Sequence, residues 1–208
     1  MLAALVLVAA FGAGTGAAAS PTAPSSTKTA TVKAAGLSFR YPAGWTVIPT
    51  TRLTKQQVNR LAKMNPKFAA LLSSDIQDET AKATKFAAKD LDAQFRGHLA
   101  DNVEVGVAAQ TGFPGSLDSF QQLANSIADA AHGRLLLVGS GHRVGKATAY
   151  DMTITVPFNL PDGSTVNVRI AQLYVRRGEG MAVVNVAVTD DPAGQAIVDS
   201  IFSSVRQA

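Results

Sequence analysis

Histidine is the side chain most able to move a proton at neutral pH, and the three in this chain stand far from any partner that would complete a catalytic set. His98 lies in a stretch read as a loop, His132 at the end of a run read as a helix, and His142 in a glycine-rich connector. No G-x-S-x-G supplies a nucleophile, and no acid flanks a histidine at a telling distance. The position of His132 suits a helix C-terminus, where positive charge is favourable.

Gly139-Ser140-Gly141-His142-Arg143-Val144-Gly145, followed by Lys146, suggests a phosphate-binding loop. Its spacing matches neither the P-loop nor the dinucleotide fingerprint. A strand is expected after it, not a helix whose N-terminus could hold an anion, so it is read as a flexible connector. Asp75, Asp78 and Glu79 lack both the EF-hand spacing and its glycine, and no H-E-x-x-H occurs. Asp90 and Glu104 could approach each other across adjacent strands, as paired-carboxylate hydrolysis requires. Strand carboxylates usually face solvent, so catalysis is not assigned to them. No catalytic, cofactor-binding or metal-ligating residue is assigned, and no cofactor is expected.

Composition narrows the classes further. The chain has no cysteine, which removes disulfides, thiolate metal sites, cysteine nucleophiles and a lipid-modified N-terminal cysteine together. With 208 residues, 47% of them hydrophobic, it can form one well-buried core. The net charge of +4 comes from 19 basic residues scattered along the sequence, which reads as a solvated face. Aromatic residues make up 6% and fall mostly in apolar phase, so no nucleic-acid partner is expected.

Leu2 to Ala13 is an uncharged apolar run, and Ala17-Ala18-Ala19 offers the small residues a signal peptidase needs, with cleavage before Ser20. Residues 1–19 are therefore read as a secretory signal. Residues 20–33, rich in Ser, Thr, Pro and Ala, are read as a flexible tether, and residues 34–208 as one globular domain. An uncleaved anchor would need ~20 strongly apolar residues. Gly12, Gly14, Thr15 and Gly16 dilute the run, so no stable membrane span is expected once the signal is removed.

The remaining elements follow from periodicity. Leu37, Phe39 and Tyr41 alternate before Pro42-Ala43-Gly44, and Trp45-Thr46-Val47-Ile48 follows, which predicts a short hairpin with Trp45 packed in the core. Thr54-Lys55-Gln56-Gln57 fits a capping box for a helix carrying Val58, Leu61 and Ala62, and Pro66 opens a second with Phe68, Leu71 and Leu72. Ser73 to Ala83 is polar and, as a loop over the core, is the first place to look for a gate or a partner surface. Strands are expected at Thr84 to Leu91, Asn102 to Ala109 and Arg134 to Val138, with a loop at Asp92 to Asp101. Ser116 caps a helix bearing Leu117, Phe120, Leu123, Ala124, Ile127, Ala128 and Ala131, which Gly133 ends.

The C-terminal third is the organising part. Tyr150, Met152, Ile154, Val156 and Phe158 alternate, as do Val166, Val168, Ile170 and Tyr174, and then Ala182, Val184, Val186 and Val188. Pro161-Asp162-Gly163 and Gly178-Glu179-Gly180 turn the chain between them, predicting a three-stranded meander with one buried face. Asp191-Pro192 then starts a helix that places Ile197, Val198, Ile201, Phe202 and Val205 inward.

At Phe39-Arg40-Tyr41-Pro42-Ala43-Gly44-Trp45 the chain resembles the opening of PsbP-like proteins and of the secreted LpqN-type proteins of actinobacteria. The element order keeps that resemblance from Ala34 to Arg206. It implies an α+β single domain in which a mainly antiparallel sheet is sandwiched by helices, in a group of binding or assembly factors without known catalysis. LpqN-type members are commonly lipoproteins, an anchor this cysteine-free chain cannot take. The expectation is an exported, non-catalytic binding or scaffolding protein of the cell envelope, monomeric, with an unknown envelope protein or apolar ligand as partner. The alternatives are a carrier of an apolar small molecule or lipid, in a pocket near the Asp92 to Asp101 loop, and a hydrolase with an unrecognised site.

Overall fold

The computed structural model describes residues 26–48, 50, 83–95, 99–108, 113–139, 143–159, 163–178 and 180–208. Its first strands are Thr27–Val32 (β1), Leu37–Pro42 (β2), Thr46–Ile48 (β3), Thr84–Lys89 (β4) and Asn102–Ala108 (β5). Then come Arg134–Gly139 (β6), Arg143–Val144 (β7), Ala147–Asn159 (β8), Thr165–Arg177 (β9), Gly180–Thr189 (β10) and Arg206–Gln207 (β11). The helices are Leu91–Phe95 (α1), Leu117–Ala130 (α2) and Pro192–Ser204 (α3).

β8, β9 and β10 form the antiparallel meander that the alternation predicts. They sit in a sheet of order β3-β4-β5-β10-β9-β8-β6, with β7 pairing to β8 off that path. Tyr150 stands opposite Tyr174, and Tyr174 opposite Val183. The even-numbered apolar residues of β8 and β9 therefore share a face with the odd-numbered residues of β10, while Ala182, Val184, Val186 and Val188 point the other way. The expectation of one buried face is corrected accordingly: Ala149, Asp151, Thr153 and Thr155 are also buried, on the face opposite Met152 and Ile154. Both faces are covered, so neither can be a purely polar, solvated one.

On one face α2 lays Phe120, Ala124, Ile127 and Ala128 against Tyr150, Met152, Ile154 and Tyr174. The helix starts where the Ser119 N–H donates to the Ser116 hydroxyl at 3.2 Å, and it ends where the Gly133 N–H donates to the Ala128 carbonyl at 2.8 Å. At ~1.5–3 kcal/mol for each large apolar side chain buried, this stripe is worth far more than the cap.

On the opposite face lie α3 and a second sheet of order β1-β2-β11. The Gly194 N–H donates to Asp191 Oδ1 at 2.7 Å, and Pro192 takes the first turn, the start that Asp191-Pro192 predicts. Glycine is required at 194 because a Cβ there would run into the Thr189 carbonyl oxygen as α3 closes over the end of β10.

Three expectations about the chain's earlier part are corrected. Thr27–Val32 is not tether but β1, paired along its length with β2, with Ala30 and Val32 buried. Thr and Val favour a strand once a partner edge exists, and composition alone does not show that edge. Leu37–Tyr41 and Trp45–Ile48 form no hairpin with each other: β2 pairs with β1 and β11, and β3 pairs with β4. The chain crosses from one layer to the other at the Pro42–Trp45 turn, because Phe39 and Tyr41 pack edge-on to Phe86 at 5.4 and 5.5 Å between the two sheets. Within the expected Asp92 to Asp101 loop, α1 forms, its Ala93 N–H donating to Asp90 Oδ1 at 2.9 Å. Trp45 is buried in the core, as expected. The helices expected after Thr54 and Pro66, and nearly all of the Ser73 to Ala83 segment, lie outside the described residues.

Candidate functional site

Two groups of polar side chains are buried in and beside the central sheet. The first is a row across its α2-side face. Glu104 of β5 stands opposite Asn185 of β10, which stands opposite Gln172 of β9, and all three are buried. Gln172 Nε2 donates to Asn185 Oδ1 at 3.1 Å, and the Tyr174 hydroxyl donates to Gln172 Oε1 at 2.6 Å. Burial pushes the Tyr174 hydroxyl above its ordinary range, so it remains a protonated donor. Beside the row, Phe120 stacks on Tyr150 at 5.1 Å and meets Tyr174 edge-on at 5.2 Å. Phe113 stacks on the same Tyr150 at 5.2 Å, with the Arg176 guanidinium 6.0 Å from its ring centre. Amides, a phenol and a carboxylate in line can orient polar groups. None of them is set as a nucleophile against a base.

The second lies at the end of the sheet beneath the start of α3. Asp101 is buried, and its Oδ1 accepts the Thr189 N–H at 3.1 Å. Burial pushes its carboxyl up to about 7; the Thr189 bond opposes that rise, and the neighbouring charges of Asp90 and Asp191 add to it. Nearby, Asp190 accepts from Arg169 Nε at 2.8 Å and from the Thr155 hydroxyl at 2.9 Å, and Arg169 also reaches Gln195 of α3. These bonds tie α3 and three strands together and consume the carboxylates structurally.

Asp90 and Glu104 are not brought together. Glu104 stands opposite Ala87, whereas Asp90 lies past the end of β4, where its N–H donates to the Asp101 carbonyl at 2.8 Å. The carboxylate near Asp90 is thus Asp101, which in the sequence has the look of an ordinary loop aspartate. The buried apolar pair Leu99-Ala100 just before it was the available signal. Gln172 likewise interrupts the even series Val168, Ile170, Tyr174, and a polar residue in buried phase is the mark of an internal hydrogen bond. His132 is exposed at the end of α2 with φ of 51°, its N–H donating to the Asp129 carbonyl. His98, His142, Asp75, Asp78 and Glu79 lie outside the described residues. Of the glycine-rich connector, Gly139 ends β6, and Arg143 to Gly145 runs into β8 and not into a helix. Among the described residues, no group of three His, Asp or Glu side chains could hold a metal ion, and no helix is long and apolar enough to cross a membrane.

An antiparallel sheet with a helix on each face places the chain in the PsbP-like class of α+β folds, as the sequence resemblance implies. The chain is similar to the cyanobacterial PsbP, CyanoP, of Synechocystis sp. PCC 6803, at 12% identity over 93% of this chain and 98% of that one, with a TM-score of 0.52. It is also similar to the Ran-binding protein Mog1p of Saccharomyces cerevisiae, at 8% identity over 88% of this chain and 95% of that one, with a TM-score of 0.50. At these identities the likeness is one of fold. No family model and no curated protein matches the chain.

Proposed function

We propose that this is an exported, non-catalytic binding or scaffolding protein of the cell envelope, of the kind the LpqN-type resemblance implies. The observation that carries the reading is the use of the sheet's chemistry-bearing side chains as structural ties: Asp101 to Thr189, Asp191 to Gly194, Asp190 to Arg169, and Tyr174 to Gln172. The fold shared with Mog1p, a Ran-binding protein, supports a protein as the partner. Export rests on the Leu2 to Ala13 run and the Ala17-Ala18-Ala19 site. Affinity capture from an envelope extract, alongside a broad esterase, glycosidase and peptidase screen, tests it. Recovery of a stoichiometric envelope protein with no turnover is expected; robust hydrolysis would overturn the reading.

A second reading, carriage of an apolar small molecule, is favoured by the Phe113, Tyr150 and Phe120 stack beside Met152 and Met181. Native mass spectrometry of the purified chain decides it, since a carrier shows a bound mass that organic solvent removes.

A further inference from the structure

Six cations that are dispersed in the sequence meet at one end of the molecule. Arg176 and Arg177 close β9, Lys33 lies in the 3-10 turn before Gly36, and Arg143 and Lys146 flank the Val144-Gly145 turn into β8. Lys85 follows Thr84, which the register places opposite Gly106, then Val183, then Tyr174, then Tyr150, so it lies at the same end. All six are exposed. The separate turns are held together by direct contacts. The Gly36 carbonyl accepts from both Arg177 Nη1 at 2.7 Å and the Ala208 N–H at 3.0 Å, and Gln207 closes against Gly145. Asp118 in the first turn of α2 opposes this charge. The carboxylates Asp90, Asp101, Asp190 and Asp191 gather at the other end of the strands.

We propose that the basic end docks on an anionic lipid surface. Leu117, the first residue of α2, is 41% exposed there, four positions after the half-buried Phe113 that lies under Arg176. Dispersed positive charge beside a few apolar contacts is what a headgroup layer accepts. A nucleic acid would instead want a basic groove lined by exposed stacking aromatics. An acidic protein would want free guanidinium forks, and of the three arginines here Arg177 is engaged by Gly36 and Arg176 by Phe113. The inference goes beyond the proposed function and stands without it, because it requires neither export nor a protein partner.

The test is co-sedimentation of the full chain with vesicles of phosphatidylglycerol and phosphatidylcholine in equal parts, against pure phosphatidylcholine. Binding to the anionic vesicles alone is expected. It should vanish in about 1 M salt, where the screening length falls to roughly 3 Å. The triple variant Lys33→Glu, Arg143→Glu, Lys146→Glu is expected to lose at least about 100-fold in partitioning, from about fivefold for each basic residue removed together with the repulsion of the three added carboxylates. Lys28→Glu, Arg40→Glu, Arg134→Glu makes the same change in net charge at exposed positions elsewhere and is expected to keep binding. Circular dichroism checks that both variants fold, and Lys146→Gln, with a loss of about fivefold, replaces the first triple if it does not. Equal binding to both vesicles, equal loss in the two triples, or capture by polyglutamate with no vesicle binding would each overturn the proposal.

Discussion

The Thr189 N–H donates to Asp101 Oδ1 at 3.1 Å across 88 residues of sequence, fastening the end of β10 to the residue that leads into β5. Asp101 is both buried and flanked by Asp90 and Asp191, so its charge is costly there. In the unfolded chain it ionises near 3.8, and in the fold at about 7. Between those values the folded chain holds a proton that the unfolded chain has released. The associated stability is therefore full below pH 3.8, declines as pH rises, and is gone above about 7.

Asp101→Asn keeps the acceptor for Thr189 and removes the charge. It is expected to stabilise the chain by about 1–3 kcal/mol near pH 8 and to flatten the decline below it. Asp101→Ala is expected to destabilise near pH 5, where it only takes the acceptor from the part-buried Thr189 N–H, and to lie below the Asn variant near pH 8, where loss of the acceptor offsets relief of the buried charge. Urea unfolding of the three chains near pH 5 and pH 8 checks this, and an Asn variant as weak as the Ala variant near pH 8 would rule out a buried charge.

Tyr174→Phe retains the ring against Phe120 but removes the donor to Gln172. A loss of about 1–2 kcal/mol is expected, measured by chemical denaturation. A change near zero would mean that the Tyr174, Gln172 and Asn185 row contributes nothing to stability through its hydroxyl.

Gly194→Ala sets a methyl group against the Thr189 carbonyl, whereas Gly115→Ala meets nothing within 4 Å. The first is expected to cost about 1–3 kcal/mol and the second close to nothing. Thermal melts of the two variants side by side distinguish a packing requirement from a general effect of removing glycine.

Val32→Asp introduces charge at a buried position of β1, and Thr31→Asp does so at the exposed neighbour. A loss of roughly 3 kcal/mol is expected for the first and under about 0.5 kcal/mol for the second. Similar small effects for both would return residues 27–33 to the status of a tether.

Much of the architecture could be read along the chain because its causes are local. The Ser116 and Asp191 caps, the three- and four-residue stripe of α2, and the turns at Gly163 and Gly178 depend on neighbours within one helical turn or one hairpin. The chemistry was harder to read. Asp101 looks like any loop aspartate until Thr189 and Asp191 are set beside it, and Gln172 needs Asn185 and Tyr174 to explain its burial.

What the amino-acid order determined by itself was the three long strands of the C-terminal meander, the two capped helices α2 and α3, and the absence of cysteine chemistry. Only tertiary structure decided that Thr27–Val32 joins a second sheet, that the even residues of β10 face away from those of β9, and that six scattered cations share one end. Each of these depends on strand register or on contacts between residues more than 100 positions apart, as for Arg177 and Gly36 with a separation of 141. A periodic pattern specifies which residues share a side of one strand, and pairing alone specifies which side of the sheet that becomes.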